Sequence, residues 1–276
     1  MQIKNHLLFD ADGKQVTFKA TPNKGGKYTP QYLVMHYTAA TSAASAINWF
    51  LNPVARASAH LVIGPDGVVT QFAPFNVVTW HAGRSSWKGL VGLNAFSIGI
   101  ELVNGGRLRR SGSQWTCPVD RCVIPEDDVM MATHKNETEQ AAWHEYSSKQ
   151  LEVSVEIAAL LVKTYRLKDV VGHEDIAPIR KSDPGPAFPM GSFRSKAMGR
   201  NDDTLDEYVT AAQLNIRTGA GSNFPTLTTP LPKGTAVLVL KTEGNWSFVA
   251  VEETVNGEMD LEGWVSSKFL VKEEMA

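Results

Sequence analysis

Histidine is scarce in this chain, seven residues in 276, so the place of each one is informative. His36 closes a short apolar run in Val34-Met35-His36-Tyr37-Thr38, and His173 follows another in Val170-Val171-Gly172-His173-Glu174-Asp175. Asp183 comes ten residues later, in Arg180-Lys181-Ser182-Asp183-Pro184-Gly185-Pro186. Two imidazoles and a carboxylate from separate loops make a three-ligand zinc site with a fourth position open to water. Spacing alone does not require this, because a lone histidine at a strand end also serves as a structural or solvated residue. Glu101 is the second unusual feature, a carboxylate interrupting Ser97-Ile98-Gly99-Ile100-Glu101-Leu102-Val103. Alternation along a strand turns such a residue to solvent, whereas in a central strand it must be paired or used. A half-buried glutamate of raised pKa beside an activated water suits a general base.

These residues need elements to hold them. Gln31–Tyr37 is a short apolar run that predicts a buried strand, and Phe96–Val103 predicts another. Ser42–Leu51 has helical spacing at Ala43, Ala46, Ile47 and Phe50, with Pro53 to stop it. Ala59–Ile63 and Val68–Phe72 flank Pro65-Asp66-Gly67 and predict a hairpin. Glu139–Tyr165 has apolar positions at Trp143, Leu151, Val155, Ala158, Leu161 and Val162 and reads as one long amphipathic helix. Strands alternating with helices imply an α/β layer with a mixed central sheet flanked by helices.

The 276 residues carry 27 Lys and Arg against 29 Asp and Glu, a net charge of −2. That balance argues against a nucleic-acid partner held by bulk charge. Two cysteines exclude a disulfide scaffold, and no run reaches the roughly 18–20 apolar residues of a membrane span. Charge is uneven: residues 205–276 hold five basic and ten acidic residues, leaving 22 and 19 for residues 1–204. The change falls in the polar stretch Gly191–Thr204, so the expected organisation is a domain over 1–195, a linker over 196–204 and a second domain over 205–276. In the second, Gln213–Arg217, Ala236–Lys241, Trp246–Val251 and Gly263–Val265 predict short strands of a small all-β barrel.

Five segments carry a family resemblance: Arg56-Ala57-Ser58-Ala59-His60, Pro65-Asp66-Gly67, Trp80-His81-Ala82-Gly83, the run from Asn94 to Leu102, and the run from Gly172 to Phe188. In this order they resemble the zinc-dependent N-acetylmuramoyl-L-alanine amidases of the amidase-2 family, which includes AmpD-type enzymes and peptidoglycan recognition proteins. The resemblance covers roughly residues 30–190. It implies Zn2+ held by His36, His173 and Asp183, Glu101 as the catalytic glutamate and Lys181 as the catalytic lysine. The implied reaction is hydrolysis of the amide between N-acetylmuramic acid and the L-alanine of the stem peptide, with peptidoglycan or a muropeptide as the partner. Zinc lowers the pKa of its water to about 7 and polarises the carbonyl. Glu101 takes the water proton and passes it to the leaving amine, and Lys181 stabilises the oxyanion. The rival reading is a non-catalytic peptidoglycan-binding protein, which predicts loss of one of these residues.

Other positions carry two readings each. His60 and His81 line the substrate cleft or hold a loop by hydrogen bonds. Arg56, Asn94 and Arg180 bind muropeptide carboxylates or are structural or solvated. Trp80 and Trp87 stack on a sugar ring or pack into the core and rim. His134 and His144 read as surface residues. Gly105–Thr138 is an insertion relative to the compact family pattern, and its Cys117 and Cys122 read as two free thiols in a loop. The C-terminal segments Leu214–Gly221, Leu231–Thr235, Gly244-Asn245-Trp246 and Gly263–Ser266 resemble a bacterial SH3-like domain, which implies cell-wall binding, with Trp246 and Trp264 in the barrel. The N-terminal apolar run Leu7–Phe9 is too short for a signal peptide. The expectation is synthesis in the cytoplasm, followed by recycling there or delivery to the wall or periplasm by another route.

Overall fold

In the computed structural model, which describes residues 1–199, 207–255, 257–258 and 261–272, the apolar run at Tyr32–Tyr37 forms strand β1. Tyr32 to His36 are all buried, as expected for a parallel strand covered on both faces. Helix α1, Ala43–Leu51, follows with Ser42 as its cap, the Ser42 hydroxyl accepting from the Ser45 amide. Its buried side, Ala46 and Phe50, packs with Ala59, Val62 and Phe72. The expected hairpin is present as β2, Leu61–Ile63, paired antiparallel with β3, Val69–Gln71. Strand β4, Ser97–Leu102, runs parallel to both β1 and β2.

The segment Glu139–Tyr165 is not one helix. Strand β5, Val129–Thr133, pairs antiparallel with β6, Gln140–His144, and helix α2 begins only at Ser148 and ends at Tyr165. Trp143 explains the difference: it is fully buried in the hairpin, and its indole Nε1 donates to Ala132 O at 3.1 Å. Ser147 starts the helix, its hydroxyl accepting from the Gln150 amide. Gln150 then donates to the carbonyls of Ile63 and Val103, which ties α2 to the ends of β2 and β4.

Strand β7, Asp169–Gly172, joins the other side of β1 in parallel, and the short helix α3, His173–Ile176, follows directly. The six-stranded sheet has the order β7-β1-β4-β2-β3, with the two-residue strand Thr17–Phe18 at the β3 edge. It is mixed and carries helices, as the sequence implies. Fully buried Leu33, Val34, Met35, Ile98 and Ile100 hold its centre, each worth about 1.5–3 kcal/mol of apolar burial.

The insertion is a folded element rather than a loop. Arg109–Ser111, Gln114–Thr116 and Val123–Ile124 form a three-stranded antiparallel sheet, and Leu108, Cys117, Ile124 and Ala142 make its small core. Both cysteines are free thiols, Cys117 buried and Cys122 exposed. The surface reading of His134 and His144 is corrected here. His134 is buried against Glu174, and His144 is half-buried with its Nδ1 accepting from the Gly105 amide at 3.0 Å.

Two compact units divide the chain, Met1–Phe188 and Pro189–Ala276. The stretch read as a linker from Gly191 is helix α4, Met190–Met198, because Met190, Phe193 and Ala197 give it a buried face despite its polar composition. Residues 200–204, the end of that stretch, lie outside the described residues. The second unit has a five-stranded sheet of β8, Glu207–Thr210; β9, Ala236–Glu243; β10, Trp246–Val251; β11, Glu262–Ser266; and β12, Leu270–Lys272. Its order is β11-β10-β9-β8-β12, all antiparallel. Gln213–Arg217 makes isolated bridges instead of the expected strand. Trp264 is buried against Phe248, and Trp246 is half-buried.

Trp143→Ala removes a full indole from the hairpin and is expected to cost about 3–5 kcal/mol of stability, read by equilibrium denaturation of the whole chain. A loss under about 1 kcal/mol excludes this hairpin as part of the core.

Candidate active site

Three parallel strands end side by side, and the residues at their carboxyl ends face one crevice, the usual place for a ligand on such sheets. Glu101 on β4 stands in register with His36 on β1, and Gly172 on β7 with Met35, so His173 lies one step beyond. Asp183 arrives on the loop after α3, where Asp183 O accepts from the Glu174 amide at 2.8 Å. The structure thereby brings together the residues singled out from spacing. His36 Nδ1 is 2.9 Å from His173 Nδ1 and 2.8 Å from Asp183 Oδ2, and His173 Nδ1 is 2.9 Å from that same oxygen. All three residues are buried, and together they form a group able to hold a metal ion.

The chemistry of the donors fits a cation. His173 Nε2 is 3.1 Å from Ala82 O, a carbonyl that only accepts, so the hydrogen sits on Nε2 and Nδ1 offers its lone pair. Burial and the neighbouring His173 hold His36 down at about 4, so it is neutral at pH 7. Burial alone raises a carboxyl, yet close contacts with His173 and His36 outweigh it and keep Asp183 far below the ordinary carboxylate range. Two imidazoles and one ionised carboxylate thus meet in a buried site.

A cavity of about 640 Å³ opens on this group and is lined by His36, His173, Asp183, Glu101 and Lys181. Burial and the charge of Asp183 push the Glu101 carboxyl well above its usual range, and Lys181 opposes them. Glu101 Oε2 is buried and has no hydrogen-bond partner among the described residues. Such an arrangement suits a proton acceptor facing a reacting molecule.

The remaining expectations divide. Trp80, His81 and Arg180 line the cavity. Arg180 also donates through Nη2 to the carbonyls of Ala82 and Arg84, each at 2.9 Å, so it braces that loop. His60 does not line the cleft. It is fully buried, with Nδ1 2.9 Å from Thr79 Oγ1 and Nε2 3.0 Å from Val77 O. Asn94 is turned inward too, its Oδ1 accepting from the amides of His81 and Ala82. Arg56 is exposed in a left-handed conformation after Pro53–Ala55, outside the cavity lining. Trp87 packs against the cluster of Tyr32, Val34 and Leu93 instead of presenting a face to a sugar.

The sequence reading missed several supports. Trp49 on α1 lines the cavity with more than half its surface exposed, and Val119 of the insertion lines it as well. Asp120 fixes that wall, its Oδ2 accepting from both the amide and the hydroxyl of Thr41. Tyr37 OH lies 3.0 Å from Ser182 Oγ, and Tyr146 donates to Pro184 O at 2.8 Å. Glu174 is the hub of the metal loop. It accepts from His134 Nε2 at 2.6 Å and from the Gly185 amide at 3.1 Å, and it pairs with Lys135 at 2.8 Å. Gly185 has positive φ, and a Cβ there would stand 2.7 Å from the Trp143 ring, so this turn accepts only glycine. No single-residue pattern marks these contacts, since each joins segments 11 to 145 positions apart.

Comparison with known proteins agrees with this geometry. The model of the N-acetylmuramoyl-L-alanine amidase family matches residues 26–186. The chain is 33% identical over 141 residues to 1,6-anhydro-N-acetylmuramyl-L-alanine amidase AmpD of Escherichia coli strain K12, covering 50% of this chain and 57% of that protein. It is 31% identical over 133 residues to N-acetylmuramoyl-L-alanine amidase AmiD of the same organism, covering 48% of this chain and 38% of that protein. The matched region thus spans only about half the length of these curated relatives. A crystal structure of an AmpD selenomethionine derivative superposes with a TM-score of 0.51 at 25% identity, over 71% of this chain and 99% of that one.

His134→Ala leaves one oxygen of the buried Glu174 short of a partner and is expected to destabilise the protein by about 3–5 kcal/mol. Thermal and denaturant unfolding measure it, and a change below about 0.5 kcal/mol excludes Glu174 as the hub of the loop.

Proposed function

This chain belongs to the N-acetylmuramoyl-L-alanine amidase family, and from that footing we propose that it hydrolyses the amide between N-acetylmuramic acid and the L-alanine of the stem peptide. The observation that carries the proposal is the convergence of His36, His173 and Asp183 beside Glu101 and Lys181 in one cavity. The non-catalytic alternative predicts that a member of this set is missing, and all five are present. The donor set of two imidazole nitrogens and one carboxylate oxygen suits Zn2+ in a catalytic, three-ligand arrangement. Zinc supplies Lewis-acid polarisation of the scissile carbonyl and a water of lowered pKa when bound.

The chain's own residues do the rest. Glu101 accepts the proton of the attacking water through its unpartnered oxygen and returns it to the leaving amine. Its raised pKa keeps the proton long enough to be delivered. Lys181, which lines the same cavity, supplies an ammonium for the oxygen that gains charge. The exposed ring of Trp80 and the guanidinium of Arg180 border the same space and are available to sugar and carboxylate groups. We assign residues 1–195 to the catalytic domain and the β-rich residues 205–276 to an SH3-like, wall-binding domain. The assignment of the latter draws on its antiparallel sheet and on a core of Leu214, Ile216, Leu231, Val237 and Val249.

Two substrate sources share this chemistry. The AmpD relative's name points to anhydro-muropeptides, the substrate of a recycling enzyme, while a wall-binding domain points to intact peptidoglycan and delivery outside the cytoplasm. No helix among the described residues is long and apolar enough to cross a membrane. Incubating metal-checked protein with intact sacculi and with anhydro-muropeptides, and weighing the products by mass spectrometry, separates the two. Cleavage confined to anhydro-muropeptides supports recycling and excludes a lysin or antibacterial effector.

Glu101→Gln keeps the side-chain shape and removes the proton acceptor, so kcat is expected to fall by about 10²–10⁴-fold with metal content unchanged. Asp183→Ala is expected to lose both the metal and the activity. Full cleavage by either variant in purified protein overturns the assignment.

A further inference from the structure

His81 lies behind His36 and is enclosed by it on one side and by strand β4 on the other. Its Nδ1 is 3.0 Å from His36 Nε2, and its Nε2 is 3.2 Å from the carbonyl oxygen of Ser97. A carbonyl accepts only, so the hydrogen of His81 sits on Nε2. Among the described residues no carboxylate is bonded to this ring, whose neighbours are His36, the ring of His60, the Ser97 hydroxyl and the backbone of β4. Nδ1 is then the acceptor end of the ring, and among the described residues the group it meets at hydrogen-bond distance is His36 Nε2, which donates to it. With its hydrogen on Nε2, His36 turns the Nδ1 lone pair toward His173 and Asp183.

We propose that His81 is a positioning residue that fixes the tautomer of His36, so that His36 presents Nδ1 as a metal ligand. The proposal rests on the reading of His36, His173 and Asp183 as a metal centre. The two histidine ligands are then set by different means, His173 by the Ala82 carbonyl directly and His36 through the His81 relay to the Ser97 carbonyl. Gly99 belongs to the same device. Its φ is not positive, so its backbone needs no glycine. A Cβ there would lie 2.4 Å from His81 Cγ and 2.6 Å from His81 Nδ1, inside contact distance. The missing side chain at position 99 makes room for the relay ring against the sheet.

The experiment uses the full chain, with zinc affinity read by chelator competition, the cobalt-substituted spectrum, and long-range proton–nitrogen NMR of the His36 ring. The wild type is expected to bind one zinc, with the His36 hydrogen on Nε2. His81→Leu removes acceptor and donor and is expected to weaken zinc binding by about 10–100-fold and to alter the cobalt spectrum. His81→Gln offers an amide oxygen to His36 and an amide hydrogen to Ser97, and it is expected to recover most of the loss. Gly99→Ala is expected to behave like His81→Leu, because it displaces the ring. If His81→Leu does not fold, Gly99→Ala and the wild-type His36 resonance decide the question. Unchanged zinc affinity in His81→Leu, or a His36 hydrogen on Nδ1, overturns this proposal alone. A wild type that binds no zinc overturns the metal reading, and this proposal with it.

Discussion

Three hydrogen-bond acceptors held within 2.9 Å of one another impose the constraint on which the rest of this unit depends. A carboxylate and two imidazole lone pairs repel when they meet in a dry site, so only a cation or an added proton makes the arrangement favourable. The chain holds them by means that do not involve the centre itself. His36 and His173 are fixed by the ends of two adjacent parallel strands, whose cores are apolar on both faces. Asp183 is fixed by a loop whose own backbone groups are bonded before any ligand enters.

That loop explains why the insertion is built as it is. Glu174 follows a metal-site histidine directly and is buried, and a buried carboxylate is tolerable only with several partners. His134 and Lys135, at the tip of the hairpin β5–β6, supply two of them, and the Gly185 amide supplies a third. The hairpin stays in place because Trp143 fills its base and stacks on His134, with ring centroids 5.7 Å apart. Packing in the insertion is therefore passed to the loop bearing Asp183 through a short chain of named contacts. The same insertion also contributes Val119 to the cavity lining, next to Asp120 and its bonds to Thr41.

Much of this was legible in the sequence, and the rest was hidden for physical reasons. The strand ends at His36, Glu101 and His173 were readable because buried parallel strands leave continuous apolar runs, against which one polar residue stands out. Glu139–Tyr165 misled because Trp143 falls near a helical position of the α2 pattern, while the pairing that makes it a strand residue comes from Val129–Thr133, earlier in the chain. His60 and Asn94 each carried a structural reading beside the cleft one, and the structural one holds. They lie in segments shared with the family, but their side chains satisfy backbone groups instead of facing the cavity. Burial of His134 rests on a partner 40 positions away, which no local pattern reports. Helix α4 was missed because three apolar side chains suffice to bury one face of a polar nonapeptide.

Glu101 shows how a site departs from the rules that make the surrounding sheet stable. In β4 the five residues other than Glu101 are all buried, and the sixth would ordinarily be apolar as well. Leaving a buried carboxylate oxygen without a partner costs about 1–3 kcal/mol, and evolution of the fold alone gives no reason to retain it. The cost is offset by the dense apolar packing of Ile98, Ile100 and Leu102 on the same strand. What the unpaired oxygen provides is a proton acceptor whose position is set by a rigid strand and whose affinity for a proton is raised by its surroundings. A paired or solvated glutamate at this register would stabilise the sheet more and would hold a proton less well. The strand thus gives up local stability at the one position where a reacting water needs a base.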